Sequence, residues 1–399
     1  MPTRSIENRL YGFAMTHDRS WACGLRCSAS RMSAPLDQLA TVSPEGAPWL
    51  VDYALDGRDG AAWQRSLRTR PWSLWRYHEL LPVERLDQRI DLGEGATPLV
   101  ELRRAAPPRI RLLLKEEGGN PSGSFKDRGL GLALSRAREL GVPGVQLASA
   151  GNAGLSVCAY AAASGLPARV ALPEDTPAVV AARCRAYGAE VLTAPGTLND
   201  AAARLAACDD GYFTVSTFRE PYRVEGKKTM GLELAEQLGW KLPDWIVYPT
   251  GGGTGIVGMH KAFDELERLG VIAGRRPRFC AVQMAGCAPM VRAFEAHANT
   301  TEAWQGAQTE VWGLRVPKSL GDRLVLDALY ATGGQAVAIE EARIAPLVAR
   351  LAAQEGRLFG PEGAACMAAV EDLAAAGQML AGQTVVVFQT GHPANYGLV

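Results

Sequence analysis

Short apolar segments alternate with longer alanine-rich segments from residue 110 onward, and this alternation limits the possible folds more than any other feature. The short apolar runs predict buried strands, and the segments between most of them predict helices. Alternation of this kind favours an α/β fold, with mostly parallel sheets that helices cover on both faces. The predicted strands lie at residues 110–114, 145–149, 169–173, 190–194, 212–216, 245–250, 278–284 and 384–390.

In such sheets ligands bind at the carboxyl ends of strands, beside helix N-termini. The loop after strand 110–114 places Lys126 at a strand-to-helix corner, among glycine and serine. A cation there opposes the helix dipole, so a depressed pKa and a nucleophilic amine are expected. A surface lysine on the first turn is the alternative. The phosphate loop of nucleotide hydrolases is excluded, because Ser124 and Phe125 separate Gly123 from the lysine.

Residues 251–255, Gly-Gly-Gly-Thr-Gly, join strand 245–250 to a helix predicted at 256–269. Backbone N–H groups and the helix dipole make this loop an anion cradle suited to a phosphate. The glycine spacing also matches the dinucleotide-binding fingerprint, which expects an acidic residue near the end of the next strand. Strand 278–284 contains no acid, so dinucleotide binding is disfavoured.

Two further strand ends carry candidate residues. Residues 149–154, Ser-Ala-Gly-Asn-Ala-Gly, lead into a helix that begins near Asn152. Their N–H groups are suited to a carboxylate, and the Asn152 side chain is either a helix cap alone or a cap that also contacts a ligand. Thr390 ends a continuous Val/Phe strand and would face the same crevice, although alone it is typical of an ordinary strand end.

Composition excludes several classes of partner. The 399 residues include 42 Lys plus Arg and 42 Asp plus Glu, and a net charge of zero argues against nucleic acid or an anionic membrane as the partner. No apolar run reaches membrane-spanning length and no signal-peptide core is present, so a cytoplasmic protein with reduced thiols is expected. Cys23 and Cys27 form the only close cysteine pair, and without a second pair at suitable spacing no metal is expected.

The lysine corner, the Asn152 loop, the glycine loop and Thr390 together resemble a pyridoxal-phosphate enzyme of the fold shared by tryptophan synthase β and threonine dehydratase. Within that fold the chain most resembles the threonine synthase family, over roughly residues 70–392. The similarity rests on NPSGSFKDRG at 120–129, ASAGNAG at 148–154, EPYRVEGKKTMG at 220–231, YPTGGGTGIVGMHKAF at 248–263, GLRVPKSLGD at 313–322 and GPEGAA at 360–365.

The resemblance implies two mostly parallel three-layer sheets and an irregular N-terminal extension. Residues 1–70 would form that extension, similar to a zinc ribbon whose cysteines are mostly missing. Residues 71–129 and 241–399 would form a large domain that binds pyridoxal 5'-phosphate, and residues 130–240 a small mobile domain. A homodimer is also expected by resemblance.

The resemblance implies a role for each candidate residue. Lys126 would form a Schiff base with the cofactor and shuttle protons, Asn152 would contact its phenolic oxygen, and Thr390 would face its pyridine nitrogen. Gly251, Gly252, Gly253, Thr254 and Gly255 would hold the cofactor phosphate, and Ser149, Ala150, Gly151 and Ala153 would bind the substrate carboxylate. Arg223 lies where the family binds the substrate phosphate.

The implied reaction converts O-phospho-L-homoserine and water to L-threonine and phosphate. The alternatives are β-replacement on O-phosphoserine, dehydration of serine or threonine, a catalytically idle cofactor- or amino-acid-binding paralogue, and the disfavoured nicotinamide enzyme. After Thr390 the chain departs from the family pattern with His392-Pro393, and His392 would either border the cofactor ring or pack.

Overall fold

The structure, a computed structural model, describes residues 19–149, 151–196, 198–208 and 210–397. The strands are β1 Ala22–Cys27, β2 Ser33–Ala34, β3 Trp49–Tyr53, β4 Leu99–Leu102, β5 Arg111–Glu116, β6 Val145–Ala148, β7 Ala168–Pro173, β8 Glu190–Ala194, β9 Phe213–Thr214, β10 Trp245–Pro249, β11 Arg278–Met284, β12 Gln335–Ile339 and β13 Thr384–Gln389. The α-helices are α1 Gly60–Ser66, α2 Lys126–Glu139, α3 Asn152–Ser164, α4 Ala178–Ala186, α5 Leu198–Ala206, α6 Tyr222–Gln237, α7 Thr254–Arg268, α8 Pro289–Glu295, α9 Asp322–Thr332, α10 Ile344–Glu355 and α11 Pro361–Ala375.

A six-stranded sheet has the order β12-β11-β10-β13-β5-β4. Its neighbouring strands run parallel, except that β4 is antiparallel to β5 at one edge. Alternate residues of β13 lie in two separate apolar clusters, Val385 and Val387 in one, Val386 and Phe388 in the other. Because successive side chains of a strand point to opposite faces, this sheet is buried on both faces. The predicted fold class is confirmed.

A second sheet, of four parallel strands in the order β8-β7-β6-β9, lies within residues 145–214. Helix α3 begins after β6 and packs on β6 and β7, while α2 packs between α3 and α6. The loop before α3 and the start of α2 therefore belong to one packed unit. The exact division into domains at residues 130–240 stays a prediction.

A third, antiparallel sheet with the order β2-β1-β3 lies within residues 22–53, a region with more regular structure than the sequence predicted. The Tyr53 hydroxyl at the end of β3 donates to Glu225 of α6 at 2.8 Å, which fastens this sheet to the main body. Cys27 is buried and Cys23 is exposed. No group of three or more His, Cys, Asp or Glu that could hold a metal occurs among the described residues.

A buried ionic cluster fixes the start of α2. Lys115 on β5 donates to Glu233 of α6 at 2.5 Å, and Arg128 of α2 is paired with Glu117 at 2.7 Å and with Glu233 at 3.0 Å. Burial alone would raise the pKa of Glu233, but Arg128 and Lys115 lower it to about 2. Three elements around the lysine corner are thereby held together by charge.

Most predicted strands agree with the structure to within one or two residues. Strand 212–216 is reduced to β9, and the edge strands β4 and β12 were not predicted. No helix within the described ranges is long and apolar enough to span a membrane.

Candidate active site

Lys126 is the first residue of α2, at the corner after β5, as the sequence predicted. The turn before it is closed by Asp127, whose carboxylate accepts from the backbone N–H of Ser122 at 2.6 Å and from the Ser122 hydroxyl at 2.5 Å. The Phe125 N–H donates to the Thr390 carbonyl at 2.9 Å. The lysine corner and the end of β13 are therefore adjacent.

The Lys126 amine has a pKa far below that of an ordinary lysine. Burial, followed by the positive charge of Arg223, lowers its pKa to about 7, while Glu362 acts in the opposite direction. Its Nζ lies 4.4 Å from the centre of the Phe125 ring. A neighbouring, fully buried lysine, Lys227, donates to the Phe125 carbonyl, and its pKa is well below the usual value because of burial and the Lys126 charge. An amine of this kind is nucleophilic and exchanges protons near pH 7.

The glycine loop at residues 251–255 turns tightly from β10 into α7, whose first residue follows Gly253. Gly253 has a φ of +84°, and a Cβ there would overlap Cγ2 of Val325. A Cβ at Gly255 would overlap the ring of Tyr248. Side chains are therefore excluded at positions 253 and 255, where the loop presents backbone at the positive end of the α7 dipole.

Asn152 is the first residue of α3, but its side chain does not cap that helix. Its Nδ2 donates to the Tyr396 hydroxyl at 2.9 Å, and its Oδ1 accepts from Asn395 Nδ2 at 2.9 Å. The Ser149 hydroxyl instead accepts from the N–H of Gly154 at 3.0 Å. The interpretation of Asn152 as a helix cap is therefore wrong.

The other small residues of this loop are Ala150, Gly151 and Ala153. Gly151 immediately precedes α3 and its N–H donates to the Ser149 hydroxyl at 3.3 Å. Ala153 and Asn152 occupy the first two helical positions, so their N–H groups have no partner inside the helix. Ala150 lies outside the described residues.

Arg223 lies in the first turn of α6 and only 1% of it is exposed, so it is not a surface arginine. Its Nη1 donates to the Val215 carbonyl at 2.9 Å, and its buried Nε has no hydrogen-bond partner among the described residues. One oxygen of Glu220 accepts from the N–H groups of Tyr222 and Arg223 at 2.7 and 3.0 Å. A buried guanidinium with an unpartnered N–H, close enough to Lys126 to lower its pKa, is suited to an anion.

Thr390 follows β13 directly and is 4% exposed. His392, two residues later, is exposed, and its Nδ1 accepts from the Ala394 N–H at 3.2 Å. His392 thus closes the short helical turn Pro393–Tyr396.

Comparison with known proteins adds to this geometry. Residues 90–391 match the model of a family described as pyridoxal-phosphate dependent enzymes. The chain is 34% identical to a threonine synthase of Methanocaldococcus jannaschii over 92% of this chain and 91% of that protein. It is 35% identical to one of Methanosarcina acetivorans over 86% of this chain and 85% of that protein. The chain belongs to the pyridoxal-phosphate-dependent enzymes, within the threonine synthase family.

Comparison with solved structures shows the same fold in another protein. Maize serine racemase superposes with a TM-score of 0.63 over 75% of this chain and 89% of that chain, at 20% sequence identity. At this identity the comparison shows a shared fold.

The residues of this pyridoxal-phosphate-dependent enzyme fit the cofactor of its family. The site combines a half-buried amine of pKa about 7, a glycine loop at a helix N-terminus and a buried guanidinium with an unpartnered Nε. An aldehyde needs an unprotonated amine, and phosphate needs N–H donors and positive potential. Lys126 meets the first requirement, and the glycine loop at the N-terminus of α7 meets the second.

Three residues near the site were not predicted as site residues. Glu362, in the first turn of α11, is buried with its Oε2 unpartnered among the described residues, and burial raises its pKa. Glu362 belongs to the GPEGAA motif at residues 360–365, so this motif could have identified it as a site residue from the sequence. Asn395 and Tyr396 lie where the sequence departs from the family pattern, and no motif marked them.

Proposed function

We propose that this protein is a threonine synthase that converts O-phospho-L-homoserine and water to L-threonine and phosphate. The observation that carries this proposal is Arg223, a buried guanidinium beside Lys126 whose Nε has no partner among the described residues. A phosphorylated substrate explains why such a group is kept, since an unpaired buried cation is otherwise costly. The relatives named threonine synthase support the same reaction.

The proposed cofactor-binding residues are those that the resemblance implies. Lys126 would bind the aldehyde carbon, Asn152 the phenolic oxygen and Thr390 the pyridine nitrogen, while Gly251, Gly252, Gly253, Thr254 and Gly255 would hold the phosphate. When bound, pyridoxal phosphate supplies an electron sink that acidifies C–H bonds near the amino group of an amino-acid substrate.

Lys126 is the proposed proton carrier. Its amine has a pKa of about 7, so Nζ accepts a proton from a substrate carbon and returns it at neutral pH. Arg223 would bind the substrate phosphate and stabilise the charge that develops as phosphate departs. The N–H group of Ala153, the Ser149 hydroxyl and the neighbouring Ala150 and Gly151 would hold the substrate carboxylate.

The test of this proposal replaces Arg223 by alanine. We expect an unchanged cofactor absorption spectrum and a kcat/KM for O-phosphohomoserine at least about tenfold lower, because a charge-assisted hydrogen bond contributes roughly 1.5–3 kcal/mol. Arg223→Lys should recover part of the loss, since a point charge replaces a bidentate group. Phosphate release and amino-acid products are measured together.

Two controls make the result interpretable. Arg219→Ala removes an exposed arginine four residues earlier and should leave kcat/KM unchanged. Thermal melting of each cofactor-free variant shows whether it is folded. Equal losses on O-phosphohomoserine and on unphosphorylated serine or threonine would mean that Arg223 is structural and would favour the dehydratase alternative, while turnover of O-phosphoserine with an added nucleophile would favour β-replacement.

We further propose that residues 130–240 act as a small domain that closes over the site, and that residues 1–70 are an extension of the large domain formed by 71–129 and 241–399. The separate four-stranded sheet within this range supports a body that moves as a unit. A cytoplasmic location is also proposed, and a homodimer is proposed on family resemblance alone. Sedimentation of the purified protein tests its assembly.

A further inference from the structure

The segment after Thr390 forms hydrogen bonds with the turn that precedes Lys126. The His392 N–H donates to the Gly123 carbonyl at 2.7 Å. Asn395 Nδ2 lies 3.2 Å from the carbonyl oxygens of both Ser122 and Gly123. A Cβ at Gly123 would lie 2.8 Å from that nitrogen, so the corner leaves room for the Asn395 amide only because residue 123 is glycine.

The orientation of the Asn395 amide follows from its partners. Arg183 of α4 donates to its Oδ1 at 2.9 Å, and a guanidinium has no acceptor. The opposite end of the amide faces two carbonyl oxygens, which have no donor. Nitrogen and oxygen of Asn395 are therefore assigned by chemistry as well as by geometry.

This assignment fixes the Asn152 amide in turn. Asn395 Nδ2 donates to Asn152 Oδ1 at 2.9 Å, so the nitrogen of Asn152 faces the Tyr396 hydroxyl, again at 2.9 Å. The Tyr396 oxygen accepts that bond, and the Tyr396 hydroxyl also lowers the pKa of the buried Glu362 carboxyl against the larger effect of burial. One of the two N–H groups of Asn152 Nδ2 is thereby used, and one is left.

The neighbouring backbone leaves space for this arrangement. A Cβ at Gly391 would overlap the Tyr396 hydroxyl and would lie 3.0 Å from Asn152 Nδ2. Glycine at position 391 is therefore needed for Tyr396 to reach Asn152.

We propose that Asn395 and Tyr396 are positioning residues that lock the Asn152 amide in one orientation, with its remaining N–H as the donor to the phenolic oxygen of the cofactor. This inference rests on the proposed role of Asn152. If the amide were free to rotate, its oxygen would face the phenolic oxygen part of the time, and two acceptors would repel each other. Arg183, on the small domain proposed above, would support the lock by orienting Asn395.

The test measures binding of pyridoxal phosphate to the cofactor-free protein, without substrate. Asn395→Asp removes every donor of this side chain, and we expect the Kd for pyridoxal phosphate to rise about tenfold, the size of a lost hydrogen bond to a charged group. Tyr396→Phe should raise the Kd several-fold and shift the absorption maximum of the bound cofactor. Asn299→Ala and Tyr187→Phe, at exposed positions, are matched controls.

A double-mutant cycle with Asn152→Ala separates positioning from a general structural role. If Asn395 and Tyr396 act through Asn152, their substitutions should have little further effect on the Kd once Asn152 is alanine. Effects that add in full would overturn the proposal, as would a Kd within twofold of the parent protein in both single variants. If Asn395→Asp does not fold, Tyr396→Phe, which removes one oxygen, decides alone. Because no substrate is present, failure to turn over O-phosphohomoserine is a separate result.

Discussion

Lys126 differs from the fully buried Lys115 and Lys228 in its partners. Lys115 is paired with Glu233, and Lys228 with Glu225 and Glu265. Lys126 has instead a positive neighbour, Arg223, and only the longer-range influence of Glu362. Lys227 also has a pKa well below its usual value, but its Nζ donates to the Phe125 carbonyl, so Lys126 is the amine available for covalent chemistry near pH 7.

Borohydride reduction of the protein loaded with pyridoxal phosphate should fix the cofactor on the peptide that contains Lys126. The unprotonated fraction of this amine is large near pH 7, because its pKa is about 7. Peptide mass spectrometry measures the label. Recovery of the label on Lys115, Lys227 or Lys228 would contradict the assignment, and Lys126→Ala should abolish labelling while the variant still melts cooperatively.

At the scale of elements, the glycine loop and helix α7 act together. Gly253→Asp should sharply weaken binding of pyridoxal phosphate, because a carboxylate would face the cofactor phosphate and a side chain would collide with Val325. Gly253→Asn is the matched control, since it has a similar shape and no charge. We expect a Kd at least about tenfold higher for Asp than for Asn, measured by quenching of tryptophan fluorescence.

Full cofactor occupancy in the Gly253→Asp variant would mean that the phosphate binds elsewhere. Equal losses for Asp and Asn would assign the effect to the collision with Val325 alone. Both results are distinguishable from misfolding by the melting temperature of the cofactor-free variants.

Which elements the sequence revealed depends on their burial and on how local their contacts are. The central strand β13 was predictable because both of its faces are apolar. Strands β4 and β12 lie at sheet edges and are partly exposed, so they lack a continuous apolar run. Asn152 forms hydrogen bonds with Asn395 and Tyr396, which lie 243 and 244 positions later in the sequence. No local sequence pattern predicts a contact at that separation.

At the scale of the whole molecule, three buried carboxyl groups bind protons on folding at mildly acidic pH. Burial raises the pKa of Glu94, Glu116 and Glu220 from 4.5 to about 7. Between these values the folded state holds more protons than the unfolded state, so stability is lost as pH rises from about 4.5 to about 7. Lys126 acts with the opposite sign above pH 7, since its pKa falls from 10.5 to about 7 on folding.

Glu94→Gln should reduce this loss of stability. The neutral side chain keeps an acceptor for the Tyr160 hydroxyl, which lies 2.7 Å from Glu94 Oε2, and removes a titration that changes the free energy of unfolding by up to about 3 kcal/mol. Urea unfolding of the cofactor-free protein at pH 5 and pH 7.5 measures the effect. Exposed Glu101→Gln is the control, and an unchanged difference between the two pH values in Glu94→Gln would contradict the prediction.

Strand β13 is the last strand in the described chain, yet it lies between β10 and β5. While a ribosome makes the protein, β5 and β10 therefore leave the exit tunnel long before the strand that joins them. Until residues 384–389 emerge, both strands expose unpaired edges to other nascent chains. A product that stops before β13 would keep those two edges permanently, so interrupted translation of this protein should give aggregates rather than a smaller folded enzyme.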